Sequence, residues 1–409
     1  MKSVVFLLNY TFIRILLFFL SFLPYQYIQK IGSFFGLIAY HLIKSYRKKA
    51  ICNLSLASSL RLDLKEKKRV ARLSIENLMI TCLEYGKLKR EKNINKIAIC
   101  QNPDQAMSLV KDGKSPIFFC GHQSNWEVLF LEGTHRMSGV AIGRPIKNHY
   151  LYRWILSIRE KFGGRIIAPK LAAKEGLKAL RDNFFLGIVG DQAMVHSDFS
   201  SFFLGRKAWT SSLPALLSYK TGHPIIVATT KRIKGQYYIY YHEPLWPDKK
   251  KPMKEEVSRL MNQALDIFSQ SVLETPDQWL WIHNRWKQQP SHRIKKLFYH
   301  DSLAFILDDH QYSLNLVQTI RDIYPNEQIV LFLPNKPKKL FFDVAVKQHT
   351  EIQDEECFKL VFYLTQNLKY KKNFQKMALN FLTLKDLNQN KNKLIDLDGL
   401  IRKTILKNP

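Results

Sequence analysis

The chain is short of cysteine and short of acid. Five cysteines, Cys52, Cys82, Cys100, Cys120 and Cys357, are scattered over 409 residues. Their odd number and the lack of any C-x-x-C spacing argue against a disulfide framework or a thiolate zinc site. They point instead to a reducing compartment in which the thiols are small buried apolar groups. Asp and Glu number 34 against 63 Lys and Arg, a net charge of +29. That deficit of negative charge requires an anionic partner: nucleic acid, an anionic membrane face, a phosphorylated lipid or an acidic carrier protein. No RNP, zinc-finger or basic-zipper spacing accompanies the charge, which argues against nucleic acid. No Gly-rich phosphate loop joins the strand-like SLAFILDD to the helical SLNLVQTIRDIY beyond residue 290, so nucleotide binding there is not supported, and no internal repeat is present.

What the chain does have is apolar and aromatic residues, 46% and 12% of the total, enough for two or three domains with a sizeable core. Residues 1–290 hold 44 of the basic and 21 of the acidic groups, so the anionic partner is expected on that part. Residues 4–23, VVFLLNYTFIRILLFFLSFL, have the length of a membrane span. Arg14 near their middle costs about 2.5–3.5 kcal/mol on insertion, which the surrounding Leu, Phe and Ile outweigh. A helix lying in the interface is the alternative. No A-x-A-like site follows, so the segment is expected to stay attached. The cluster KSYRKKA at 44–50 places the following domain on the cytoplasmic side by the positive-inside bias.

From about residue 50, helical and strand-like segments alternate. IENLMITCLEYGKLKR, AAKEGLKALRDNF and KEEVSRLMNQALDIFSQSVLE have helical periodicity, the last running to about Glu274. SPIFFC, FLGIVG, HPIIVATTKR and QYYIYYHEPL are strand-like. This is the pattern of an α/β fold, a mixed sheet flanked by helices. After 290, SLAFILDD, SLNLVQTIRDIY and EQIVLFLP form a strand–helix–strand unit, and DLNQNKNKLIDLDG reads as a surface segment. The expected division is 1–24 as membrane anchor, 25–290 as the main domain and 291–409 as a small appended α/β domain.

The candidate chemistry begins at PIFFCGHQSNWE (116–127), where an apolar strand runs into Gly121-His122 and an acid, Glu127, follows five residues later. Chance supplies roughly one His-x4-acid match in a chain of this composition. A second pair, His349 and Asp354, has no flanking signature and is read as noise. Ser124 and Glu127 form an S-x-x-E capping box, which alone would explain the acid. It leaves the histidine unexplained. If His122 precedes the helix and folds back, Glu127 accepts from one ring nitrogen and the other removes a proton from a hydroxyl. Backbone amides near Ser124 would then face a developing oxyanion. Trp279, Trp281 and Trp286 within TPDQWLWIHNRWK are either core or membrane-interface aromatics, or part of the site.

GHQSNWE, GRPIKNHYLYRWILSIREKFGG, GIVGDQ, FFLGRKAWT, TGHPIIVATTKR and TPDQWLWIHNRWK, in this order, resemble the late (secondary) acyltransferases of lipid A biosynthesis, within the lysophospholipid/glycerophosphate acyltransferase superfamily. The likeness covers about residues 1–290. It implies a glycerophosphate-acyltransferase-like fold and an enzyme on the cytoplasmic face of the bacterial inner membrane. Such an enzyme moves a fatty acyl chain from acyl carrier protein to the 3-hydroxyl of an acyl chain on a phosphorylated glycolipid, the lipid A precursor. By position, the resemblance makes His122 the base and Glu127 its partner. Arg144 and Arg159 hold phosphate or shape the pocket, and Asp191 and Gln192 line the site. Arg144 and Arg159 are otherwise surface cations, and Asp191 otherwise a turn cap. Direct attack of a hydroxyl on a thioester calls for no metal and no cofactor. The chain departs from the family pattern at Gly143, His149, Lys207 and Trp209, which bears on chain length and acceptor. The competing readings are a lysophosphatidate acyltransferase, whose EGTR-like block LEGTHR at 131–136 imitates too close to Glu127, and an inactive membrane-binding module.

Overall fold

The structure, a computed structural model, describes residues 2–289, 294–342, 344–351, 357–387 and 397–407. It divides into two compact units, residues 1–43 with 69–280, and residues 44–68 with 281–409. The linear division expected from the sequence is therefore corrected. The break falls at 280/281, and the basic stretch from residue 44 joins the C-terminal unit because Asn53 donates to the Trp281 carbonyl at 2.7 Å and Lys48 to that of Gln375 at 3.2 Å.

The helices of the chain up to residue 274 are α1 (Lys2–Leu20), α2 (Tyr25–Leu42), α3 (Lys44–Leu56), α4 (Leu64–Arg90), α5 (Pro103–Lys111), α6 (Trp126–Arg136), α7 (His149–Arg159), α8 (Ala172–Arg181), α9 (Leu213–Thr221) and α10 (Met253–Glu274). The strands of the first unit are β1 (Ala98–Cys100), β2 (Ile117–Cys120), β3 (Gly139–Ile142), β4 (Arg165–Ile167), β5 (Phe185–Val189), β6 (Ser200–Phe203), β7 (Arg206–Trp209), β8 (Ile225–Ile233) and β9 (Gln236–Tyr241). Seven of them form a mixed sheet in the order β1-β9-β8-β2-β5-β3-β4, in which only the β8–β9 pair is antiparallel; β6 and β7 form a separate hairpin. The central strand β2 is apolar at every position because both of its faces are covered, as in parallel sheets. Phe118, Val128, Leu131, Trp154, Phe185 and Tyr241 belong to one core cluster uniting the sheet with α6 and α7.

The second unit holds β10 (Ser302–Ile306), α11 (Leu314–Ile323), β11 (Gln328–Leu333), β12 (Ala345–Gln348), β13 (Phe358–Tyr363) and β14 (Ala378–Thr383). Its five strands, in the order β12-β11-β10-β13-β14, are all parallel. The strand–helix–strand reading of 302–333 matches β10, α11 and β11. Residues 388–396 of the expected surface segment and Asp354 of the second His-x4-acid pair lie outside the described residues. One expectation about the cysteines is corrected here: Cys52 and Cys357, 305 residues apart in sequence, are joined as a disulfide. Such a separation leaves no local spacing to read. Cys100 and Cys120 are buried free thiols, and Cys82 is free and exposed.

Candidate active site

The site forms where β2 and β5 end side by side. Their register pairs Cys120 with Val189, so the residues that follow, Gly121-His122 and Gly190-Asp191, emerge together at the carboxyl edge of the sheet, where loops of α/β proteins gather functional groups. Gly121 is required there: a Cβ at that position would meet the Phe268 ring of α10 at 2.1 Å. The loop then turns sharply. Ser124 takes a left-handed φ of 53°, a conformation that costs a non-glycine residue and persists only where neighbours enforce it. Those neighbours are specific. The Ser124 amide donates to the Gln278 carbonyl at 2.6 Å, the Leu280 amide to the His122 carbonyl at 3.1 Å, and the Gln123 side chain reaches Ser271 and Thr275.

His122 is held by Asp191. Its Nδ1–H donates to Asp191 Oδ1 at 2.8 Å, and its backbone amide to Oδ2, also at 2.8 Å. The buried indole N–H of Trp279 donates to the same Oδ2 at 2.8 Å. Burial, the largest influence on this carboxyl, favours the neutral acid. The charge of His122, its ring and amide donations and the Trp279 N–H together outweigh burial and hold Asp191 down at about 2. With Nδ1 committed to a carboxylate, Nε2 carries the basic lone pair, and the Gln192 amide approaches it to 3.2 Å. The imidazole keeps a 17% exposed side chain, and the Trp126 ring lies edge-on to it at 4.8 Å between centroids.

Glu127 does not meet the imidazole, which corrects the expected pairing. Its carboxylate faces Arg159, accepting from Nε at 2.8 Å and Nη2 at 2.6 Å, and it also accepts from Tyr85 Oη at 2.7 Å and Trp126 Nε1 at 3.0 Å. Burial again raises this carboxyl, but the Arg159 charge and the four donated hydrogen bonds leave its pKa lowered. The physical reason lies in the helix start. Glu127 is inside α6, one turn past His122, while β5 delivers Asp191 directly beside the ring. The capping reading is corrected as well: Asn125, not Ser124, caps α6, its side-chain oxygen accepting from the Glu127 amide at 3.1 Å. The Asn125 Nδ2 donates to the buried Glu84 of α4 at 2.6 Å, which fixes the cap from beneath. The Ser124 amide, spent on Gln278, is not a free oxyanion donor.

The remaining sequence candidates separate. Gln192 joins the histidine, and Arg159 joins Glu127 rather than standing as a surface cation. Arg144 is exposed on the loop after β3, its neighbour Gly143 lying where an added Cβ would be 3.6 Å from the Arg159 guanidinium. The LEGTHR block lies within α6, where buried Glu132 accepts from Tyr241 Oη at 3.1 Å and pairs with Arg136. Trp126 and Trp279 contact the histidine and its carboxylate, partners that sequence reasoning did not single out. The three clustered tryptophans were the signal for the second, while nothing about Trp126 marked it. Trp281 and Trp286 are buried in the second unit.

On the far side of Trp126 from the histidine lies a small apolar cavity of about 50 Å³. Cys120, Trp126 and Val189 line it near the imidazole, and Phe118, Phe185 and Tyr241 line it further along the strands. Trp126 is thus both a wall of the cavity and the neighbour of the His122 ring. The carboxylate-held imidazole is therefore separated from the apolar cavity by the Trp126 ring. Among the described residues, no group of three or more His, Cys, Asp or Glu side chains is placed to hold a metal ion. Helix α1 contains one stretch, Ser3–Leu20, long and apolar enough to cross a membrane by length and composition. No curated protein matches the chain. Residues 3–288 match the family model of the bacterial lipid A biosynthesis acyltransferases, and the chain belongs to that family.

Proposed function

We propose that the protein transfers a fatty acyl chain from the thioester of acyl carrier protein to the 3-hydroxyl of an acyl chain already on a lipid A precursor, at the cytoplasmic face of the inner membrane. Family membership supports acyl transfer onto lipid A. The observation that carries the mechanism is the His122–Asp191 pair, with Trp126 packed between the imidazole and the apolar cavity.

In this reading, the donor's thioester carbonyl lies beside His122, and its chain runs along the Trp126 wall toward the apolar cavity. Nε2 takes the proton of the acceptor hydroxyl as its oxygen attacks the carbonyl carbon. Asp191, ionised, stabilises the imidazolium. The tetrahedral intermediate collapses with cleavage of the C–S bond, the imidazolium returns its proton to the departing thiolate, and an acyloxyacyl ester is left. The Gln192 amide, within reach of the ring, is the side-chain donor assigned to the oxyanion. Glu127 acts on Arg159 and Trp126 and so positions the wall beside the imidazole. The exposed Arg144 is assigned to the acceptor's phosphate. The excess positive charge of residues 1–290 supports docking of an acidic carrier protein, so turnover with a carrier-protein thioester should weaken steeply with salt.

The test is to incubate detergent-purified protein with acyl carrier protein thioesters and either a lipid A precursor or lysophosphatidate, and to weigh the products. An acyloxyacyl product supports the proposal. Acylation of lysophosphatidate alone, or of neither acceptor, overturns it.

A further inference from the structure

Helix α1 has two faces. Leu17, and Ser21 just past the helix end, are buried, and Phe6, Tyr10, Ile13, Arg14 and Leu20 are half-buried, at the three- and four-residue spacing of a single helical face. Val4, Leu8, Phe12, Ile15, Phe18 and Phe19 are exposed on the other. Composition alone makes this helix a candidate span, so its packing has to decide between spanning and lying flat.

The covered face is tied along its whole length to α7 and α4 of the same unit. Asn148, the cap of α7, donates to the Phe6 carbonyl at 2.8 Å. Tyr10 lies 6.0 Å from the Tyr150 ring. Arg14, the residue that makes spanning costly, donates to Tyr10 Oη at 2.9 Å and stands 5.0 Å from the Trp154 ring. At Leu17 the backbones of α1 and α4 touch: a Cβ at Gly86 would fall 2.2 Å from the Leu17 carbonyl oxygen. Arg90 reaches Ser21 Oγ at 3.3 Å and stands 4.0 Å from the Phe22 ring. From Phe6 to Phe22 this contact runs for about 24 Å at the rise of an α-helix.

A span of that length would bring α7 and the end of α4 into the hydrocarbon. Arg153, exposed on α7, and Lys89 and Arg90, exposed on α4, would go with them, each at about 2.5–3.5 kcal/mol. The alternative, peeling α1 away, would leave Gly86, Tyr150 and Trp154 bare. Neither cost arises if the helix lies flat. Its exposed face is then the lipid-facing face, and α2 extends the apolar exposure through Phe34, Phe35 and Leu42.

Resting on the membrane-enzyme reading above, we propose that α1 is an in-plane anchor, sunk by its Val4–Phe19 face into one leaflet of an anionic phospholipid bilayer, with the amino terminus on the same side as the active site. The helix it grips, α7, ends in Arg159, so the anchor sets the height of the site above the leaflet that holds the acceptor lipid.

The test uses the full chain with an amino-terminal epitope tag, expressed in bacteria, in inverted inner-membrane vesicles treated with an impermeant protease. The expected result is loss of both the tag and the catalytic unit without detergent. A tag that stays protected until detergent is added, while the catalytic unit is digested, overturns the in-plane anchor but leaves the membrane-enzyme reading standing. Protein that washes off the vesicles overturns both. In parallel, Phe12→Glu, on the exposed face, should lower binding to vesicles of phosphatidylethanolamine and phosphatidylglycerol by about tenfold, about 1.4 kcal/mol, with an unchanged circular dichroism spectrum. Unchanged vesicle binding with conversion of a dimer to a monomer would instead make a second copy the occupant of this face and overturn the proposal.

Discussion

Replacing Asp191 by Asn changes the shape of the site little and removes one charge. The structure sets the size of the effect. Asp191 is 2% exposed, and its carboxyl is held at about 2 against an ordinary value of 3.8, a difference of almost two units. At about 1.36 kcal/mol per unit this amounts to roughly 2–3 kcal/mol, the net preference of the folded site for the ionised acid. Because the folded value is depressed, the contribution is complete above the unfolded value of 3.8 and is lost as pH falls through about 2. It is therefore fully in force at neutral pH. If the same interaction stabilises the imidazolium formed during attack, its loss raises the barrier by a similar amount, and kcat falls by about two orders of magnitude. KM for the acyl donor should hardly move, since Asp191 lies behind the ring and not in the cavity. Initial rates of acyloxyacyl formation, quantified by mass spectrometry for wild type, Asp191→Asn and Glu127→Gln, check this. An Asp191→Asn enzyme within roughly threefold of wild-type kcat would refute the assignment of Asp191 as the partner of the base.

Three further outcomes follow from the geometry. Arg159→Ala leaves the buried Glu127 carboxylate without its bidentate partner and should cost about 3–5 kcal/mol in thermal or denaturant unfolding, whereas Arg159→Lys, lacking the planar fork, recovers only part of it. Gly133 lines the cavity, and a Cβ there would come within 3.2 Å of Phe185; Gly133→Leu should shift donor preference in competition assays to shorter chains, at about fourfold in kcat/KM per excluded methylene. In the second unit, burial pushes the Glu327 carboxyl up to about 7 against the donations of the Asn326 amide and its own. The folded state then binds the extra proton between pH 4.5 and 7, so stability falls as pH rises through that window by about 3 kcal/mol, a slope that Glu327→Gln should flatten in pH-dependent melting.

Much of the fold could be read from the sequence because its signals are local. β2, β5, β8, β9, α8 and α10 fall on the segments whose periodicity indicated them, and so do β10, α11 and β11 beyond residue 290. The division into units was not legible. Lys48 and Asn53 are polar residues in a basic stretch, and only tertiary contacts assign them to the C-terminal unit. The Cys52–Cys357 pairing was hidden for the same reason, since it joins residues 305 positions apart.

The site divides along the same line, and the division explains why spacing misled at Glu127. The His-x4-Glu spacing is a one-dimensional fact that several geometries satisfy. Here Asn125 caps the helix, so Trp126 and Glu127 enter its first turn while His122 stays on the strand side of the Gly121 turn. The carboxylate that reaches the imidazole has to come from the neighbouring parallel strand, because register brings Gly190-Asp191 alongside Gly121-His122, 69 residues away in sequence. That spacing follows no motif rule; it is set by the length of the chain between β2 and β5. Glu127 nevertheless bears on the chemistry. It accepts from the indole of Trp126, and Trp126 stands between the imidazole and the cavity. A substitution at Glu127 therefore acts first on the wall that the acyl chain touches, and should alter KM and chain-length preference before kcat, the reverse of the order expected at Asp191.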